Sequence, residues 1–253
     1  MIDKNIRYFH DQKVHNFYAA EEIVPFIVDL LRPNSIVDVG CGIGTWLKVF
    51  SDNGVLDYIG IDGDYVDKNL LKIDKCFFVD YNLETYYQSN RKFDLAVSLE
   101  VAEHLKEGSS DDFIKTLTDL SDVVIFSAAV PNQGGQNHIN EKEPSYWIKK
   151  FENLGFKCFD ILRPVFWNND KVDCWYKQNI FLFTNKKNFH EKLQSFKTFS
   201  NEHIIHPELL KIKEGEIRRH IHNLDVIVNG KKEKSFYLRL FINMIKSLRI
   251  FKS

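Results

Sequence analysis

Apolar positions follow two alternating rhythms through the first two thirds of the chain. "AAEEIVPFIVDLL" (19–31) spaces them at helical intervals and stops at Arg32-Pro33-Asn34, which predicts a helix and then a turn. "SIVDVG" (35–40) is almost continuously apolar and reads as a buried strand. "TWLKVFSDNG" (45–54) returns to helical spacing and closes on Gly54. The same reading gives a strand at "YIGID" (58–62), a short helix at "YVDKNLL" (65–71) and strands at "CFFVD" (76–80) and "FDLAVSLE" (93–100). A helix at "DDFIKTLTDLS" (111–121) and a strand at "DVVIFSAAV" (122–130) follow. Strands that are apolar throughout and alternate with helices predict an α/β fold, a mostly parallel sheet covered on both faces.

After residue 144 the rhythm changes. "PSYWIKKFENLGF" (144–156) predicts a helix, and "KCFDILRPVFW" (157–167) and "DCWYKQNIFLFTN" (173–185) predict two strands close enough to pair antiparallel. No strand is expected from Lys186 onward, so the reading is a domain over 1–187 and a helical extension over 188–253. The last stretch, "KKEKSFYLRLFINMIKSLRIFKS", sets Tyr237, Phe241, Met244, Ile245, Leu248 and Phe251 at helical spacing, with Arg239, Asn243 and Lys246 off that stripe. A cationic amphipathic helix of this kind either lies at a membrane surface or packs its stripe on a partner subunit or on its own domain.

Charge narrows the function classes. Lys plus Arg number 34 and Asp plus Glu 35, a balance that argues against bulk nucleic-acid binding, although residues 231–253 carry seven of the cations and one Glu. The four cysteines lack CxxC or CxxH spacing, the first residues do not form a signal peptide, and no run approaches the roughly 18 apolar residues of a membrane span. The expectation is a cytoplasmic protein, peripheral to the inner membrane if its last helix binds lipid.

Candidate chemistry begins at the end of the first strand. Gly40, Gly42 and Gly44 stand where open α/β sheets bind ligands, and the next helix offers free N–H groups. The G-x-G-x-x-G dinucleotide pattern fails, because its third position is Thr45. Asp62, at the end of the second strand, can accept hydrogen bonds from both hydroxyls of a ribose. Asp38, two residues before the first glycine, would oppose a pyrophosphate but suits a ligand carrying an ammonium and a sulfonium. Asp80 closes the third strand, in place for an adenine amino group. Three acids at three successive strand ends describe S-adenosylmethionine better than NAD.

"VDVGCGIGTW", "GIDGDYV", "FVDYNLE" and "FDLAVSLEVAEHL" resemble the successive motifs of class I S-adenosylmethionine-dependent methyltransferases. The resemblance implies a Rossmann-like seven-stranded sheet in the order 3-2-1-4-5-7-6 with one antiparallel strand. It also implies a cofactor held by Gly40, Gly42, Asp62 and Asp80, to which Asp38, Thr45, Trp46, Tyr81 and Glu100 are added as neighbours on the motifs. "AVSLEVAEHL", "FSAAVPNQGGQNHINEKEPSYW" and "WYKQNIFLF" further resemble methyltransferases of bacterial capsule and lipopolysaccharide gene sets, including those proposed to methylate capsular sugars or their phosphoramidate groups.

Methyl transfer to a hydroxyl calls for a base, and histidine is the usual one. Glu103 and His104 follow the fourth strand, and His138 lies in a polar loop after the fifth with Asn140 and Glu141 beside it. Glu103, His104 and His138 are the catalytic candidates; Asn140, Glu141, Tyr176 and Gln178 are candidates for the acceptor pocket, the last two on one face of a strand. His15, with Asn16, precedes the first helix as a lid over the cofactor. His104, His138 and Glu141 are valid metal ligands but have no local ligand spacing, so no metal is expected. The leading reading is an O-methyltransferase for a small polar or anionic precursor of a surface glycan, such as a sugar nucleotide or phosphorylated intermediate. The alternatives are an N-methyltransferase for a small amine and a cofactor-binding assembly protein without turnover.

Overall fold

The computed structural model describes residues 16–250, with side chains described through Met244. His15 and the side chains of Ile245, Leu248 and Phe251 lie outside the described residues. The chain forms two compact units, one ending at His206 and one beginning at Pro207. The stretch 188–206, expected in the extension, therefore belongs with the first unit.

In that unit α1 (Tyr18–Leu31) leads to β1 (Ser35–Val39), α2 (Thr45–Asp52), β2 (Asp57–Asp62), β3 (Phe78–Asp80) and β4 (Leu95–Leu99). Then come α3 (Ser110–Leu120), β5 (Val123–Ser127), α4 (Pro144–Asn153), β6 (Lys157–Phe159), α5 (Leu162–Phe166), α6 (Cys174–Asn179), β7 (Phe181–Thr184) and α7 (Lys187–Gln194). The sheet has the expected order β3-β2-β1-β4-β5-β7-β6. β7 runs antiparallel to both β5 and β6, and the other pairs are parallel.

Strand alternation divides the core into two layers. Ile36, Leu95, Val97, Ile125 and Leu182 face a cluster with Ala20, Ile23 and Ile27 of α1, Phe50 of α2 and Leu193 of α7. Val37, Ala96, Val124, Phe126 and Phe183 face Phe113, Ile114 and Leu117 of α3 and Trp147 and Phe151 of α4. Helices on both faces explain why the strands read as unbroken apolar runs.

Three local expectations are corrected. Residues 65–71 form turns, not a helix, because a short polar side chain captures a backbone donor there: Asp67 accepts from the Asn69 N–H at 2.9 Å. The expected strand over 157–167 stops at Phe159 and turns into α5. Pro164 would have removed a ladder hydrogen bond there. The segment 174–179 is the helix α6, with the Ile180 N–H returning to the Tyr176 carbonyl at 3.2 Å, and only 181–184 is strand.

A buried cation ties the late segments together. Arg163 is fully buried and donates two hydrogen bonds to the Asp160 carboxylate, at 2.7 and 2.6 Å. It also reaches the carbonyls of Gln178 (3.1 Å) and Glu202 (2.9 Å) and lies over the Phe181 ring at 4.3 Å. This holds residues 201–206 on the sheet unit.

The second unit is the pair α8 (Pro207–Val228) and α9 (Lys234–Ile250), with the Tyr237 hydroxyl donating to the Ile227 carbonyl at 2.8 Å. Ile217, Ile221, Leu224 and Val228 are exposed on α8, as are Leu238, Phe241 and Met244 on α9. Among the described residues no helix is long and apolar enough to cross a membrane.

Removing one member of a buried ion pair costs about 3–5 kcal/mol. Arg163→Met is therefore expected to lower the unfolding free energy by about that much in urea titration, and to open residues 199–206 to limited proteolysis. Wild-type stability together with unchanged protease resistance would remove Arg163 from this role.

Candidate active site

The carboxyl ends of β1 and β2 are joined by a glycine turn. Gly40 has φ 86°, and a Cβ there would fall 2.3 Å from the Val101 side chain, so conformation and packing both require glycine. The N–H groups of Gly40 and Cys41 bond the Ile61 carbonyl of β2 at 2.8 and 3.2 Å. The Asp62 carboxylate accepts from the Gly42 N–H at 2.7 Å, the Gly63 N–H at 2.6 Å and the Tyr65 hydroxyl at 2.5 Å. One side chain thus fixes the turn and presents its oxygens at the sheet edge.

Asp38 is also buried, in register with Gly60 of β2 and Val97 of β4. Its carboxyl takes no hydrogen bond from any described residue. Burial first, and the charge of Asp62 second, push its pKa from 3.8 up to about 8. Asp80, aligned with Asp62 across β2 and β3, is exposed and paired with Lys68. Tyr81 donates its N–H to the Asp62 carbonyl (2.8 Å) and its hydroxyl to the Tyr86 carbonyl (2.6 Å). Thr45 is buried at the start of α2, and Trp46 meets Tyr176 edge-on with ring centres 5.2 Å apart.

The second half of the site follows β4 and β5. Glu100 is held in a left-handed conformation (φ 55°), a strained state for a non-glycine residue. Its carboxylate receives the amides of Gln133 at 2.8 Å and Asn179 at 3.2 Å, which are themselves 2.8 Å apart. Burial raises the Glu100 pKa, against the pull of these hydrogen bonds. The sequence reading missed Gln133 and Asn179. The available signal was a polar residue at the head of the buried strand "NIFLF".

Glu103 is wholly buried, and neither carboxylate oxygen has a hydrogen-bond partner among the described residues. Burial and then the neighbouring Glu100 push its pKa well above the ordinary carboxylate value. Its backbone carbonyl accepts from Ile139 at 2.9 Å and Asn140 at 3.0 Å, which pins the loop after β5. His138 in that loop pairs its Nδ1 with Glu141 at 2.9 Å, and Glu141 is fixed by the N–H groups of Asn132 (2.7 Å) and Gly134 (2.6 Å). The His104 ring stands edge-on to His138, centre to centre 4.8 Å. Burial, and then His138, lower the His104 pKa from 6.5 to about 4.

Glu103, His104, His138 and Glu141, distant in sequence, are thus brought together. Three acceptor-pocket candidates have other attachments. Asn140 bonds the Ala102 carbonyl and the Ser110 hydroxyl, both at 3.3 Å, as a clip between loops. Tyr176 and Gln178 lie on a helix, not on a strand, where positions two apart diverge. Tyr176 turns to Trp46, while Gln178 accepts the His206 N–H at 2.7 Å.

A family model described as a methyltransferase domain matches residues 10–130. No curated protein matches the chain. Among solved structures, DesVI of Streptomyces venezuelae superposes with a TM-score of 0.51 at 12% identity, covering 71% of this chain and 100% of its own. Human N-acetylserotonin methyltransferase, solved with S-adenosylmethionine, gives a TM-score of 0.50 at 14% identity, covering 70% of this chain and 55% of that one. These likenesses are of fold, the class I methyltransferase fold.

The Asp38 shift fixes the sign of a stability effect. Below pH 4 folded and unfolded chains both hold the proton; between 4 and 8 only the folded chain keeps it. Stability therefore falls with rising pH across that window, by up to about 1.4 kcal/mol per unit. Asp38→Asn escapes this loss, so its stability relative to wild type should rise steadily from pH 5 to pH 8. Parallel stability profiles for the two ligand-free proteins would contradict the shift.

Proposed function

With a methyltransferase domain matched over residues 10–130 on this fold, we propose that the protein is an S-adenosylmethionine-dependent methyltransferase acting on an oxygen of a small polar acceptor. The observation that carries the reading is the pair of carboxylates around the glycine turn, Asp38 buried with no hydrogen-bond partner among the described residues and Asp62 already accepting a hydroxyl. A buried carboxyl without a partner gains most from a cationic ligand, and S-adenosylmethionine carries an ammonium and a sulfonium. A dinucleotide would set a pyrophosphate against the same acid. The Tyr65 hydroxyl already donating to Asp62 supports a ribose hydroxyl as the donor there in the complex.

The bound cofactor supplies an electrophilic methyl group. The chain's own task is to align the acceptor and manage its proton. Val101 packs on Gly40, so the segment carrying Glu100, Glu103 and His104 adjoins the cofactor turn. His138, its Nδ1 fixed by Glu141, keeps Nε2 to receive a proton, an imidazole oriented by a carboxylate. His104 is neutral at physiological pH. A neutral hydroxyl suits this acid-rich side, and an anionic acceptor would need a counter-charge beside Glu100, Glu103 and Glu141. The motif resemblance supports a sugar hydroxyl of a surface-polysaccharide precursor as the acceptor.

A charged hydrogen bond contributes about 1.5–3 kcal/mol, so Asp62→Ala should weaken S-adenosylmethionine binding roughly ten- to a hundredfold by calorimetry. Unchanged affinity in a folded variant would defeat the ribose assignment, and tighter binding of NAD would defeat the whole reading. His138→Asn should slow methyl transfer by about 10²–10⁴ with cofactor affinity retained. The assay is transfer of labelled methyl to sugar-nucleotide extracts, and full activity in the variant would exclude His138.

A further inference from the structure

On the acceptor side three side chains converge with no positive charge among them. One ligand atom each from Glu103, His104 and His138 lies within 4.8 Å of the others. Glu103 is the independent sign that something is to be bound: it is fully buried, and neither carboxylate oxygen has a hydrogen-bond partner among the described residues. Its acidic neighbours Glu100 and Glu141 make an anion there costlier still. Removing a carboxylate from water costs several kcal/mol unless an opposite charge meets it. The two imidazoles add nitrogen donors of the kind that first-row transition metals take.

We propose that Glu103, His104 and His138 bind one divalent first-row transition-metal ion. Two imidazole nitrogens and one carboxylate oxygen suit ions from manganese to zinc, whereas magnesium and calcium favour all-oxygen sites. With Nδ1 of His138 held by Glu141, Nε2 is the ligand atom. With an ion there, His138 would no longer take the acceptor's proton, and the ion would acidify the acceptor in its place. A carboxylate on the far nitrogen of a ligating histidine fixes its ring and raises its basicity. Glu141 is itself anchored by two backbone N–H groups, so the ring is set before any ion arrives. Residue 135 must stay small, since a Cβ there would fall 2.2 Å from His138 Nε2. Three protein ligands leave coordination positions open. If the methyltransferase reading holds, an acceptor oxygen fills one of them, which supplies the counter-charge an anionic acceptor needs among three acids.

The test is titration of chelator-stripped, full-length protein with Co²⁺, followed by visible absorption and by metal analysis after gel filtration. One equivalent with ligand-field bands is expected. Glu103→Gln and His138→Asn should each abolish the bands, and Glu141→Gln should weaken binding about 10–100-fold. Calorimetry with S-adenosylmethionine on the same samples reports whether each variant is folded and tests the methyltransferase reading separately. Cofactor binding without Co²⁺ binding overturns the metal site and leaves that reading standing. Co²⁺ binding lost in the variants, in a protein that ignores the cofactor, does the reverse. Co²⁺ bound equally by wild type, Glu103→Gln and His138→Asn overturns the site.

Discussion

The Asp62 carboxylate is the point on which the cofactor half of the site depends. It closes β2 and receives N–H groups from Gly42 and Gly63 and the hydroxyl of Tyr65. A carboxylate at the tip of a buried strand is costly unless donors surround it. Here the donors are the turn itself, so the group that needs neutralising also shapes the loop. Asp38, one strand away, lacks such donors. Among the described residues one of these two neighbouring acids is surrounded by donors and the other is not, and the proposed cofactor reading rests on that contrast.

The side that follows β4 and β5 is built differently. Glu100 sits in a strained left-handed conformation, and amides from Gln133, in the loop after β5, and Asn179, at the end of α6, converge on its carboxylate. The Glu103 carbonyl holds the loop that delivers His138, and Asn140 ties that loop to Ala102 and Ser110. Loops after β4, β5 and α6 are thus cross-linked around buried acids. Val101, packed on Gly40, joins this half to the glycine turn.

The parallel sheet was legible because burial on both faces leaves unbroken apolar strands, and the glycine turn because only glycine fits Gly40. Residues 65–71 misled because their periodicity is helical while Asp67 diverts the backbone into a turn. Residues 157–179 misled because short apolar runs do not distinguish strand from helix. Pro164 and the buried Arg163 decide there. Spacing also argued against a metal built from His104, His138 and Glu141, since His104 lies far along the chain from the other two. Parallel β4 and β5 set their loops side by side, a neighbourhood created by topology. The roles of Asn140, Tyr176 and Gln178 depend on which loop each one faces, and no local pattern encodes that.

The carboxylates around the glycine turn and the cluster of Glu103, His104 and His138 all lie at or beyond the carboxyl ends of sheet strands. The central claim is that Asp38 meets the cationic end of S-adenosylmethionine. The most direct measurement is calorimetry of that binding near pH 7 in buffers of different ionisation enthalpy. A protonated Asp38 that ionises against the ligand must give up its proton, so net proton release by wild type and none by Asp38→Asn is the expected result. Binding without proton release, or the same release from both proteins, would contradict it.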